Sequence, residues 1–249
     1  MEVSKGMNGN PLRSLVCLGI LVLMCSLAII AEPCSATEVW SEDFDGDFPP
    51  DGWVIDANTI VVDGTLRGSY STEVHRPCNL TSGTWNFDMF DIGNWMMDLR
   101  PGLYVYFMST HPDTHPQMTY CLRITQGTTS AGLKYIYAIT RFNGEATVTL
   151  ASGDGLERPS LKGTLHHIRI TRTAAGQMSV YVNETLMVEA TDNEISTSEC
   201  FRILLGYDYA IDNIVVDDAP PGIPMELLAV GAGAVAIVVV VVVVMKRRG

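Results

Sequence analysis

Met178-Ser-Val-Tyr-Val-Asn183-Glu184-Thr-Leu-Met-Val-Glu-Ala190 decides the fold. Met178, Val180 and Val182 occupy alternate positions, Asn183-Glu184 interrupts, and Leu186, Val188 and Ala190 resume the alternation. Apolar residues at period two mark strands with one buried face, and a short polar break between two such runs marks a hairpin. The pattern repeats outward. Trp85, Phe87 and Met89 alternate with Asn86 and Asp88; Leu133, Tyr135, Tyr137 and Ile139 with Lys134 and Thr140; Ile168 and Ile170 with His167, Arg169 and Thr171. Phe201, Ile203 and Leu205 follow, then Ile211 to Val216. Asp63-Gly64, Asn143-Gly144, Gly153-Asp154-Gly155 and Ala175-Gly176 punctuate these runs as turns. No helical periodicity appears between residues 40 and 218. Roughly a dozen strands predict an all-β, two-sheet antiparallel sandwich or jelly roll, in one domain.

The two ends read differently. Leu227 to Met245 is an unbroken apolar stretch of 19 residues followed by Lys246-Arg247-Arg248. At about 1.5 Å per residue it spans roughly 28 Å, the depth of a bilayer's hydrocarbon core. This predicts a C-terminal transmembrane helix with a cytoplasmic basic tail, 246–249. A tail this short leaves no room for a signalling domain behind the helix. Ala219 to Glu226 forms a Pro-rich stalk. Linker, apolar run and basic cluster also resemble a sorting signal, but no LPxTG motif occurs, so a retained stop-transfer anchor is the simpler reading. At the N-terminus, Lys5 and Arg13 precede the apolar run Leu15 to Ile30, with small residues at Cys34 and Ala36. That is the pattern of a secretory signal peptide covering 1–36, with an uncleaved signal anchor as the other reading. Residues 37–218 are then an extracellular domain on a single-pass protein of the cell membrane. The valine-rich anchor and its basic stop resemble those of archaeal surface proteins.

Segment 37–222 carries 25 acidic and 11 basic residues, a formal charge of −14. Nucleic acid and anionic membrane surfaces repel such a body, and no nucleic-acid partner is expected. Cleavage after Ala36 leaves Cys78, Cys121 and Cys200, for which one disulfide of unassigned pairing plus one free thiol is the simplest outcome outside the cell. Cleavage after Ala31 retains Cys34 and allows two bridges. Asn79-Leu-Thr and Asn183-Glu-Thr are glycosylation sequons, the second at a predicted turn.

Four segments resemble a known family. Trp40-Ser-Glu-Asp-Phe-Asp-Gly-Asp-Phe-Pro-Pro-Asp-Gly-Trp53 resembles the opening strand and first loop of concanavalin A-like (laminin-G-like) jelly rolls, and Val61-Val-Asp-Gly-Thr-Leu66 their next strand. Gly83-Thr-Trp-Asn-Phe-Asp88 resembles the strand after that. Tyr209-Ala-Ile-Asp-Asn-Ile-Val-Val216 resembles the closing strand, and also the ending of MAM adhesion domains. The resemblance covers 38–218 and implies that first and last strands are neighbours. It also implies a structural Ca²⁺ held by carboxylates from both, with Asp45 and Asp212 at the matching positions. Glu42, Asp43, Asp47, Asp217 and Asp218 add acids nearby, and hard oxygens are what calcium takes. A solvated acidic turn is the plainer reading.

Enzyme chemistry finds little support. Laminarinase-type relatives carry E-x-D-x-x-E on one strand, which this chain lacks, and no G-x-S-x-G elbow occurs. His111-Pro-Asp-Thr-His115-Pro contains two imidazoles, but its prolines exclude a helix that would align them, and an ordinary turn explains the segment. His166 and His167 lie in a strand and face opposite sides. Trp95 in a loop, and Tyr207 and Tyr209 before the closing strand, are candidate stacking platforms for a sugar or anchors for a protein; Trp53 and Trp85 read as core. The expected function is non-enzymatic recognition at the cell surface, with glycan first. The alternative is a protein-binding adhesin or structural envelope component.

Overall fold

A computed structural model describes residues 37–68, 72–92, 102–110, 118–129, 132–157, 164–206 and 209–218. The signal segment, Trp95, the 111–117 histidine loop, Tyr207, the stalk and the 227–245 stretch lie outside the described residues. Every regular element among the described residues is a strand, so none is a helix long and apolar enough to cross a membrane.

Strands are numbered β1 to β15 in chain order and form two sheets. The back sheet runs β13 (Thr185–Thr191), β12 (Gln177–Val182), β11 (Leu165–Arg172), β6 (Gly83–Asp91), β15 (Tyr209–Asp217), β4 (Thr65–Gly68) and β3 (Thr59–Val62), with β1 (Glu38–Glu42) also paired to β15. The front sheet runs β10 (Thr147–Glu157), β9 (Gly132–Phe142), β8 (Thr119–Thr129), β7 (Leu103–Ser109), β14 (Cys200–Leu205), β5 (Thr72–Pro77) and β2 (Val54–Ile55). First and last strands are neighbours, as the resemblance implies: Trp40 lies opposite Val216 and Glu42 opposite Ile214.

The period-two residues supply the core. Trp85 and Met89 of β6, Ile170 of β11, Val180 of β12 and Ile211 of β15 are fully buried, facing Val74, Val105, Leu122, Ile139 and Ile203 of the front sheet. Burying such a side chain stabilises by about 1.5–3 kcal/mol, which drives the two faces together. The opening loop is pinned by aromatics. Trp53 stands edge-on to Trp40 at 5.7 Å, and both meet Phe201 of β14, at 6.3 and 5.5 Å. Each such pair adds about 0.5–1.5 kcal/mol beyond its area.

Hairpin chemistry follows the turn residues. Asn183 and Glu184 have φ of 47° and 63°, and Asp63 and Gly64 have 52° and 70°. Positive φ at both central residues defines the type I′ turn, whose twist matches paired strands. Two expectations change. Gly153-Asp154-Gly155 is no turn but part of β10. There the missing side chains allow close approach: a Cβ on Gly153 would sit 2.5 Å from the Met187 carbonyl oxygen, and one on Gly155 2.7 Å from that of Tyr135. Leu186 is 45% exposed rather than core-facing, because a bulge between Val180 and Tyr181 shifts the β12–β13 register.

Candidate functional site

The front sheet's outer face is set by the core row beneath it. Val74, Ile203, Val105, Leu122 and Ile139 are cross-strand neighbours and all point inward. Residues on either side of them along each strand must therefore point outward. One outward row reads Glu73, Leu204, Tyr104, Arg123, Ala138; the next reads His75, Arg202, Tyr106, Cys121, Thr140. Each β7 tyrosine is backed by an arginine from a different flank. The Arg202 guanidinium lies 5.2 Å from the Tyr106 ring centre, and that of Arg123 lies 5.2 Å from Tyr104. Arg202 is buried and ion-paired with Glu73. Arg123 is half-buried, and among the described residues it makes no ion pair. Burial pushes the Tyr106 phenol well above its usual range, with Cys121, Glu73 and Tyr104 adding to it and Arg202 opposing. Burial likewise pushes up the Cys121 thiol. Both stay protonated near neutrality, so neither is a nucleophile. Cys121, Arg202 and Thr140 are buried, and the rings and donors this face presents are those of half-buried Tyr104, Tyr106 and Arg123.

On the back sheet, cross-strand pairing aligns His167, Asp88 and Asp212. The His167 Nδ1 lies 2.5 Å from Asp88 Oδ1, and Asn213 Nδ2 donates to Asp88 Oδ2 at 2.9 Å. Asn213 reaches that position because a bulge in β15 puts it at φ 49°, a conformation asparagine tolerates. Partial burial pushes the Asp212 carboxyl up, and the charges of Asp88, Asp45 and Asp43 push it further, against the Asn213 N–H. Asp45 and Asp212 are thus near enough to repel. The donor chemistry is that of a hard cation, but no three acidic, histidine or cysteine side chains converge on one point among the described residues. The hollow beside Asn86, Asp88, His167 and Asn213 holds about 240 Å³, less than the roughly 300 Å³ at which small-molecule pockets begin.

No protein-family model and no curated protein sequence matches the chain. Solved structures do. The Ca²⁺/Man-bound form of the VIP36 exoplasmic/lumenal domain matches with TM-score 0.55 and 12% identity, over 71% of this chain and 88% of that one. A Bacillus subtilis protein of unknown function with a galectin-like fold matches at 0.53 and 12%, over 73% and 96%. LamA of Z. galactanivorans, solved with laminaritriose and laminaritetraose, matches at 0.51 and 14%, over 73% and 98%. This chain has a concanavalin A-like, galectin-like β-sandwich fold. At such identities the likeness carries the fold alone.

Within that sandwich the residues singled out from sequence take different places. Tyr209 does not offer a platform: it alternates inward with Ile211 and is 1% exposed. Trp95 and Tyr207 lie outside the described residues. Trp53 and Trp85 are core, at 6% and 0% exposure. Asn79 and Asn183 are exposed, and the Asn183 Oδ1 accepts the His167 backbone N–H. Cys78, Cys121 and Cys200 are all buried, and among the described residues no disulfide joins any two of them, where one bridge and one thiol was the simplest expectation. Cys78 packs in the core beside Trp40 and Trp85, while Cys121 and Cys200 lie on the outer face with β7 between their strands. His166 is buried and His167 exposed, on opposite sides of β11 as expected. His166 stands edge-on to Tyr135 at 5.6 Å, and the Tyr135 hydroxyl donates to buried Asp91 at 2.6 Å. The tyrosine–arginine face was missed from sequence. Its signal is Leu103-Tyr-Val-Tyr-Phe107, an aromatic pair on the phase opposite the core residues.

Proposed function

We propose that this chain is a non-catalytic carbohydrate-recognition module, binding glycan on the outer face of its front sheet. The observation that carries this reading is the pair Tyr104 and Tyr106, each ring backed by an arginine on an outward-facing row. Sugar rings present flat C–H faces that stack on such platforms, and guanidinium and phenol groups donate to hydroxyl oxygens. The VIP36 and LamA structures, solved with mannose and with laminarin fragments, support the reading by fold. Hydrolysis requires two carboxyl groups about 5–10 Å apart across the bond. In the two central rows the one carboxylate is Glu73, already engaged by Arg202.

The location belongs to the same proposal. A signal segment at 1–36 and an anchor at 227–245 put the sandwich outside a single membrane, stalked on 219–226. Calcium belongs to it too, as an ion between Asp45 and Asp212, supported by the pairing of the first and last strands and by the Ca²⁺-bound form of the VIP36 domain. The test is a glycan array probed with the detergent-solubilised full chain, with Ca²⁺ and with chelator. Saturable binding to a related set of glycans is expected. A folded chain that binds none under either condition overturns the reading and favours a protein adhesin.

A further inference from the structure

Half of the described lysines and arginines of this acidic chain are ion-paired internally. Arg67 pairs with Asp63, Arg141 with Asp192 and Glu194, Arg169 with Glu184, and Arg202 with Glu73. Arg172 is held by the carbonyls of Thr81, Asp192 and Ile195 and by the Asn193 side chain. Arg76 lies over Trp40 at 4.7 Å, in the aromatic cluster of the opening loop. Four described cations make no ion pair among the described residues: Arg172, held by carbonyls; Arg76, in the opening-loop cluster; and Arg123 and Lys134 on the front sheet. The last two point outward from that sheet. Arg123 lies opposite Ala138 of β9, and Lys134 shares the outward phase of Ala138 on that strand, four residues away. At about 3.4 Å per residue that spacing is roughly 14 Å.

We infer that the glycan bound here is an acidic oligosaccharide, its negative groups met by Arg123 and Lys134. This rests on the carbohydrate reading of the same face. A body of charge −14 repels anions nearly everywhere, so a half-buried, unpaired guanidinium stacked on Tyr104 has a cost unless an anion completes it. The planar fork suits a carboxylate bidentately, and a sulfate ester offers the same oxygens. Tyr104 holds the fork in place and supplies the ring surface beside it. Asp154, exposed on β10 and opposite Ile136, is an acid near the path between the two cations and opposes the ligand. Glu157 of β10 lies opposite Lys134 in the strand register, which leaves Arg123 the principal anion contact.

The test measures binding of the full chain to an oligouronate, to its carboxyl-reduced neutral counterpart and to a sulfated oligosaccharide, at low and moderate salt. The oligouronate should bind about ten- to a hundredfold tighter than its neutral counterpart, the range of a charge-assisted hydrogen bond. Arg123→Gln should remove that preference, so that the variant binds oligouronate and neutral counterpart equally, whatever its neutral affinity. Arg123→Lys should keep part of it, and Asp154→Asn should strengthen it. Sulfated ligand with the same Arg123 dependence also supports the inference. Equal binding of oligouronate and neutral counterpart overturns it yet leaves the carbohydrate reading standing. A preference that survives Arg123→Gln in a folded chain overturns it as well. Absence of binding to every glycan overturns both.

Discussion

Gly153 and Gly155 separate a strand from a turn by experiment. Neither takes a left-handed φ, so alanine is penalised there only by space. At Gly153 the new Cβ would meet the Met187 carbonyl oxygen at 2.5 Å, well inside the roughly 3.5 Å of ordinary contact. At Gly155 it would run into the Tyr137 ring and lie 2.7 Å from the Tyr135 carbonyl oxygen. Two of these obstacles are backbone on other strands and cannot rotate away. Overpacking of this kind costs about 1–3 kcal/mol. In a domain of this size each kcal/mol moves Tm by about 2–4 °C. Gly153→Ala and Gly155→Ala should therefore each lower Tm of the purified full chain by about 2–12 °C in thermal unfolding followed by circular dichroism. Gly46→Ala is the control, since nothing lies within 4 Å of its Cβ, and it should be neutral or slightly stabilising. If Gly153→Ala and Gly155→Ala both melt with wild type, the segment is a surface turn and the β9–β10 register is wrong.

Three further outcomes follow from the site and the core. Asp212→Asn should raise Tm without metal, because the folded carboxyl is held above its ordinary pKa and its repulsion is strongest above that value; the same variant should abolish any Ca²⁺-dependent gain in Tm, read by titration with calcium and then chelator. His166 is pushed below the ordinary imidazole pKa of 6.5, chiefly by burial and against the pull of Asp91. As pH falls below about 6.5 the unfolded chain therefore takes a proton that the folded chain refuses, and stability drops until the folded pKa is passed; His166→Phe should flatten that stretch of a denaturant-midpoint profile. Arg202→Met should cost about 3 kcal/mol in chemical denaturation by stranding Glu73, and adding Glu73→Gln should recover much of it.

What was legible in the sequence is what local periodicity encodes. Trp85, Phe87 and Met89 announce their burial because one sheet face meets solvent and the other does not. Asn183-Glu184 and Asp63-Gly64 announce turns because few residues take positive φ in pairs. Gly153 and Gly155 misled because glycine serves both sharp turns and close strand contacts, and only the neighbouring backbone of Met187 or Tyr135 tells which. Tyr209 misled because its face depends on register with Asp91, a residue far away in the chain. Tyr104 and Tyr106 show their phase in sequence but not their partners. Arg202 comes beside Tyr106 only because β14 inserts between β7 and β5, a crossover that no local pattern contains.

The central claim is that glycan is bound by the front sheet's outer face. Tyrosine-directed footprinting of the full chain, with and without the glycan giving the strongest array signal, tests it most directly. Protection should fall on Tyr104 and Tyr106, while half-buried Tyr181, over which Arg169 lies at 4.2 Å on the back sheet, stays unchanged. Protection at Tyr181 with Tyr104 and Tyr106 unaltered would place the ligand on the opposite sheet and contradict the account.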